Sequence, residues 1–289
     1  MDIFVNKLGS VIPPPTHALD NDIQTILNRL KKEMESGPKY LPDWADPGTN
    51  NGATPNEIVR SALFTTRNRN QPRMYFKDEP VIITGGGFIS YRGEELRQDD
   101  ELVWLRLLQM SKGRQLGAPV RFTPYSFLKS IGWRTNNWGY GHLRTCLSRM
   151  KATAVHLSSD RFGTVVVGLI DFFQYWDDDQ NIPLAAWEVQ LSPVLSKLFS
   201  DQEFTLIDLR QRKSLPEGIA TKLHSYWSSH KRPYPVKVET LQKLCGSTNE
   251  LRFFKRKLIK ALDALVQVEF LDAWLIRKGL VYVNRKVRA

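Results

Sequence analysis

An α+β fold is predicted, with tandem winged-helix (winged helix-turn-helix) domains behind a flexible N-terminal extension. Three observations carry that prediction. The order short helix, turn, longer helix and hairpin occurs twice along the chain, the first 55 residues are broken by Pro and Gly, and all excess positive charge sits in the last third. The expected divisions are an extension and linker at 1–57, a first winged-helix domain at 58–187 and a second at 188–289.

The extension comes first. Pro13, Pro14 and Pro15 stiffen its start, and positions 37–55 are rich in Pro, Gly, Asn and Asp, as linkers are. Between them, Ile23, Ile26, Leu27, Leu30 and Met34 share one face of a helical pattern at 20–35. One short helix between two linkers has no core of its own. A strand pair is expected at 80–84 and 88–91, joined by Gly85-Gly86-Gly87. A phosphate-binding loop would need a Lys-Ser/Thr dipeptide opening a helix after its glycines, whereas Phe88-Ile89-Ser90-Tyr91 follows here, so the triplet reads as a hairpin turn.

Positions 99–112 space Leu102, Leu105, Leu108 and Gln109 by three and four, as an amphipathic helix does. After a short strand at 120–122, Thr123 suits an N-cap with Pro124 at the first helical position, and the helix carrying Phe127, Leu128 and Ile131 stops at Gly132. The turn Trp133-Arg134-Thr135-Asn136 leads to a longer helix with Leu143, Leu147, Met150 and Ala154 on its seam. A hairpin at 155–158 and 165–170 closes the first round. In the second round, 205–212 and 219–228 read as helices, 236–238 as a strand and 239–244 as a short helix. Ser247 and Glu250 are spaced as a capping box for a long helix at about 249–268, and the hairpin 273–276 and 280–283 turns at Arg277-Lys278-Gly279. The repeat is one of pattern, not of residues.

Charge narrows the function. From Thr205 onward there are 18 Lys and Arg against 7 Asp and Glu, while the preceding 204 residues carry 23 of each sign. A polyanionic partner is the usual reason for such asymmetry, because neutralising phosphates releases counterions. No apolar run reaches the roughly 18 residues that cross a bilayer, and the N-terminus lacks the charged and apolar regions of a secretory signal. A cytoplasmic location is therefore expected, with no membrane partner. Cys146 and Cys245 sit in apolar helical patterns and read as core residues in a reducing compartment, without a disulfide or metal.

DNA-contacting residues are expected on both longer helices. In the second round Leu251, Phe254, Leu258, Leu262 and Leu265 form a seam, opposite Arg252, Arg256, Lys257 and Lys260. Arg252 and Arg256 suit bidentate contact with guanine, Lys257 and Lys260 suit phosphates, and Arg277 and Lys278 form a basic hairpin tip. In the first round the face away from the seam presents Arg144, Thr145, Ser148 and Arg149, with Arg134, Asn136 and Asn137 in the preceding turn. Each of these could equally be a cap or surface residue, and Trp138 and Tyr140 read as packing residues. Catalysis finds little support. Asp177-Asp178-Asp179 reads as a charged turn, and His156-Leu157-Ser158 lacks the second histidine of the metal motif used by nicking enzymes. No cofactor, metal or catalytic residue is expected.

Five stretches resemble the TrfA-type initiators of broad-host-range plasmid replication. They are RSALFT at 60–65, GEELRQDDELVWL at 93–105, GAPVRFTPYSFLKSIGW at 117–133, LSRMKATAV at 147–155 and SSHKRPYPVKVETLQKLCGS at 228–247, in the family's order and spacing. The resemblance implies a non-enzymatic initiator that binds double-stranded direct repeats (iterons) at a plasmid origin. It further implies help in melting an adjacent A+T-rich segment, recruitment of the host replicative helicase and polymerase sliding clamp, and a monomer–dimer equilibrium. Leu63 and Phe64 would be the clamp-binding pair, with core packing the competing reading. A tandem winged-helix transcriptional regulator and an origin-nicking enzyme are the alternatives.

Overall fold

The computed structural model describes residues 50–286 apart from 69, 85–86, 116, 161–162 and 178–180. The helix anticipated at 20–35, two glycines of the triplet, and Asp178 and Asp179 lie outside the described residues.

The linker expected to run to position 55 instead ends in a buried strand, β1 (Asn51–Pro55), followed by α1 (Asn56–Val59). Next come β2 (Phe64–Thr65), β3 (Tyr75–Val81), β4 (Phe88–Glu94) and β5 (Leu96–Arg97). The chain then forms α2 (Gln98–Met110), β6 (Val120–Phe122), α3 (Pro124–Ile131) and α4 (Asn137–Lys151). Strands β7 (Ala154–Ser159) and β8 (Gly163–Val167) complete an antiparallel sheet ordered β3-β4-β7-β8. The β-branched run anticipated to 170 breaks after Val167. Ile170 opens a second hairpin, β9 (Ile170–Asp177) and β10 (Ile182–Leu191), which pairs with β6.

A 3-10 segment (Pro193–Gln202) leads to β11 (Phe204–Asp208), where a helix was anticipated at 205–212. This strand pairs antiparallel with β1, from Asn51 opposite Asp208 to Pro55 opposite Phe204. Only α5 (Leu209–Lys213) is helical there, started by the Asp208 carboxylate accepting from the N–H groups of Arg210 and Gln211. The second unit continues with α6 (Ile219–Ser228), β12 (Val236–Lys237), α7 (Val238–Leu244) and α8 (Leu251–Gln267). It ends in the hairpin β13 (Leu271–Arg277) and β14 (Leu280–Arg285), with β12 paired to β14. The fold is therefore mixed α and β.

Two apolar cores organise these elements. The first runs from Ala53 to Phe199 around Trp104, Phe127, Leu143 and Leu147, and the second from Leu215 to Val281 around Trp227, Phe254 and Leu258. Strand β10 crosses the boundary expected at 187, because Val189 and Leu191 alternate into the first core, and Leu195 and Leu198 of the 3-10 segment follow them there. A small cluster of Val59, Leu105, Ile207 and Leu209 lies at the junction.

Polar contacts reinforce that junction. Arg60 donates to the Ser229 hydroxyl (3.0 Å) and carbonyl (2.6 Å), the Thr66 N–H to the Cys245 carbonyl (2.8 Å), and Lys213 to the Ser130 carbonyl (3.0 Å). Arg212 pairs with Glu101 at 2.6 Å, and the Gln98 amide oxygen accepts from both Arg212 and Thr221. The buried Lys222 ammonium donates to the Ser61 and Val59 carbonyls, and burial pushes its pKa down. Buried groups satisfied in this way fix one relative placement of the units, since an unpaired polar group would be costly.

Candidate nucleic-acid interface

Each unit carries a short helix, a turn, a long helix and a hairpin. The start of α4 is tightly specified by sequence. Thr123 Oγ1 accepts from the Ser126 N–H (3.2 Å), and Gly132 ends α3 in the left-handed region (φ 78°). Asn136 Oδ1 then accepts from the Gly139 N–H at 2.9 Å, capping α4. Gly139 is obligatory, because a Cβ there would lie 1.9 Å from the Arg134 carbonyl oxygen.

On α4 the seam residues Leu143, Cys146, Leu147 and Met150 are buried. Arg134, Asn136, Asn137, Arg144, Thr145 and Ser148 are exposed, as expected. Three of them already have internal contacts. The Asn136 side chain is the helix cap, Thr145 Oγ1 donates to the Gly141 carbonyl (3.0 Å), and the Arg144 guanidinium sits over the Tyr175 ring (5.3 Å).

Arg149 corrects the sequence reading. It is buried and pairs with Asp100 (2.6 Å) and Glu94 (3.1 Å) inside the first unit, so it does not face outward. Burial opposes its charge, but the carboxylates of Asp100 and Glu94 outweigh that and raise its pKa further. Its partners belong to an internal network at the N-terminus of α2, in which Arg73 also reaches Asp99 and Asp100 at 2.7 Å each. Glu95 and every residue from Arg97 to Glu101 are buried. Acidic residues there also suit the helix N-terminus.

The same network brings Asp99, His142 and Cys146 together, their donor atoms all within 4.8 Å of one another. That set fits a cation poorly. Arg73 already occupies the Asp99 carboxylate, and burial pushes the Cys146 thiol well up, so it stays protonated. Cys245 is likewise a free, buried thiol, pushed up to about 12 by burial.

The long helix of the second unit is arranged differently. Phe254, Leu258, Ala261, Leu262 and Leu265 are buried, while Leu251, anticipated on the seam, is 38% exposed. Ser247 and Glu250 do not form a capping box: the Asn249 N–H reaches Ser247 Oγ (3.4 Å), and Glu250 pairs with Arg252 (2.8 Å). Arg252, Arg256, Lys257 and Lys260 are all exposed, and so is Lys255, which the pattern had not singled out. The guanidinium groups of Arg252 (4.7 Å) and Arg256 (5.7 Å) both lie over the exposed Phe253 ring. Lys257 and Lys260 line a groove of about 690 Å³ at the junction, together with Arg67 and the first residues of α6. At the hairpin tip Arg277 and Lys278 are exposed, with Lys278 (φ 49°) and Gly279 (φ 76°) making the turn.

Leu63 and Phe64 provide a second correction. They are 3% and 0% exposed, with β2 paired parallel to β5 and the Gln98 amide donating to the Phe64 carbonyl. The core-packing reading holds, and a clamp could not reach them without opening that core.

Known proteins share this arrangement. The crystal structure of domains 2 and 3 of RctB superposes with a TM-score of 0.54 at 14% identity, covering 81% of this chain and 98% of that one. The Pi initiator protein in complex with iteron DNA gives a TM-score of 0.53 at 11% identity, covering 84% of this chain and all of that one (100%). The chain thus shares the fold of these two proteins. In sequence, the TrfA protein family matches residues 19–285, and the chain belongs to that family. The plasmid replication initiator protein TrfA of Escherichia coli is 32% identical over 259 residues, which cover 88% of this chain and 66% of that protein. This chain therefore spans slightly under two thirds of that relative's length. Among the described residues, no helix is long and apolar enough to cross a membrane.

Proposed function

We propose that the two units are winged helices, with α4 and α8 as their recognition helices, and that the chain initiates plasmid replication by binding direct repeats at the origin. The observation that carries this reading is the solvent-facing cationic surface of α8, continued by the Arg277-Lys278 hairpin tip. An amphipathic helix with a fully buried seam is rigid, and its outer face can enter a major groove while the hairpin lies on the adjacent backbone. Arg252 and Arg256 then reach base edges, and Lys257 and Lys260 reach phosphates.

Family membership supports the initiator role, as does the likeness in fold to an initiator crystallised on iteron DNA. The role needs no catalytic group, cofactor or metal, and it places the protein in the bacterial cytoplasm. Contact with the host helicase and sliding clamp, and a monomer–dimer equilibrium, belong to the same proposal, with a clamp contact made elsewhere than at Leu63 and Phe64. The test is footprinting on the origin fragment of the protein's own plasmid against random DNA, across a salt series. Regularly spaced protected repeats that persist as salt rises are expected. Weak, salt-sensitive binding without a footprint would refute the proposal.

A further inference from the structure

The sequence pattern assigns Trp138 to packing, yet its indole is 62% exposed in the first turn of α4. At about 100° per residue it lies within about 20° of Thr145, on the outward face shared with Gly141 and Ser148. The exposed ring is held in one orientation. It stacks on His142 (centroids 4.9 Å apart, planes 16° apart), and His142 in turn packs against Trp133 at 4.7 Å. His142 Nε2 is anchored 3.2 Å from the buried Asp99 carboxylate. The backbone beneath is fixed by the Asn136 cap and by Gly139, which admits no side chain. Gly141, one turn along, leaves open space beside the indole, where a Cβ would meet nothing within 4 Å.

We propose that Trp138 is a specificity-determining residue that reads thymine in the major groove. This inference rests on the reading of α4 as a recognition helix. The 5-methyl group of thymine is the one apolar feature on the major-groove edges of the bases, and the O4 acceptor lies next to it. An indole offers the matching pair, an apolar ring and one N–H donor without acceptor capacity. Trp138 Nε1 has no hydrogen-bond partner among the described residues. Neighbouring Thr145 and Ser148 are small enough to let the ring approach a base edge. His142 is a positioning residue in this scheme, because it touches the indole and not the DNA.

The test uses the full chain and a protected repeat from the footprint, with each thymine replaced in turn by deoxyuridine, which removes only the methyl group. Wild type is expected to lose about fourfold in Kd at one or two thymines, the worth of one buried methyl. Trp138→Ala is expected to weaken binding about tenfold and to become indifferent to uracil at those positions. Trp138→Phe should recover part of that preference. Urea unfolding of Trp138→Ala should match wild type, since the side chain lies on the surface. Two results overturn the inference alone while Arg256→Ala still weakens repeat binding: Trp138→Ala binds as wild type does, or it weakens binding but keeps the full uracil profile. Absence of any repeat-specific binding by wild type overturns the inference together with the reading beneath it.

Discussion

Helices α4 and α8 occupy corresponding places in their units, yet their charged residues are deployed in opposite ways. In α4 the Arg149 side chain turns inward to Asp100 and Glu94, Arg144 rests on Tyr175, and the exposed large apolar side chain is Trp138. In α8 five cations face solvent, and the ion pair they make there, Arg252 with Glu250, is itself exposed. An exposed pair of that kind contributes little to stability, about 0–1 kcal/mol. Position in the motif therefore does not determine whether an arginine faces solvent. The acids packed opposite it do. The first unit presents an aromatic ring and hydrogen-bonding groups to solvent, and the second presents charge.

The sharpest break of this comparison is Arg149→Ala. Removing one partner of a buried ion pair leaves the two buried carboxylates of Asp99 and Asp100 to share Arg73, and a loss of about 3–5 kcal/mol in unfolding free energy is expected in urea titrations. An unchanged midpoint would mean that the Arg149 pair contributes nothing. Arg256→Ala stands next. It should leave urea unfolding within about 0.5 kcal/mol of wild type, and it should weaken repeat binding by about 1–3 kcal/mol while relaxing preference at one base pair. Equal losses on random DNA would show that Arg256 reads no base. The smallest effects belong to Lys257→Ala and Lys260→Ala. Each should lower the slope of log binding constant against log salt by about one without altering the base preference.

Much of this architecture can be read from local chemistry. Thr123, Pro124 and Gly132 bound α3, Asn136 starts α4, and Arg277-Lys278-Gly279 closes the last hairpin, each by a rule that acts over a few residues. What could not be read depends on distant partners. Residues 205–208 alternate in and out as a strand does, but four residues are too few to separate strand from helix, and the paired strand lies near position 51. Charge is usually solvated, so nothing local marks the run from Glu95 to Glu101 as buried. It is buried because Arg73, Arg149 and Arg212 converge on it from three other parts of the chain. The same blindness applied to the candidate site: α8 was legible because all its cations lie on one side of a simple seam. Arg149 is buried and Trp138 exposed, against the pattern, because Arg149 meets Asp100 of α2 and Trp138 stacks on His142 along its own helix.

The pairing of β1 with β11 also has a consequence for how the protein is made. Thr205 bonds to Asn56 at 2.6 Å across 149 positions of sequence, so the strand that opens the described chain has no partner until the connector to the second unit emerges from the ribosome. At about 5–20 residues per second, that wait is on the order of ten seconds. For that interval the nascent first unit carries an unpaired edge, and it is then that a chaperone or a second nascent chain has its opportunity to engage it.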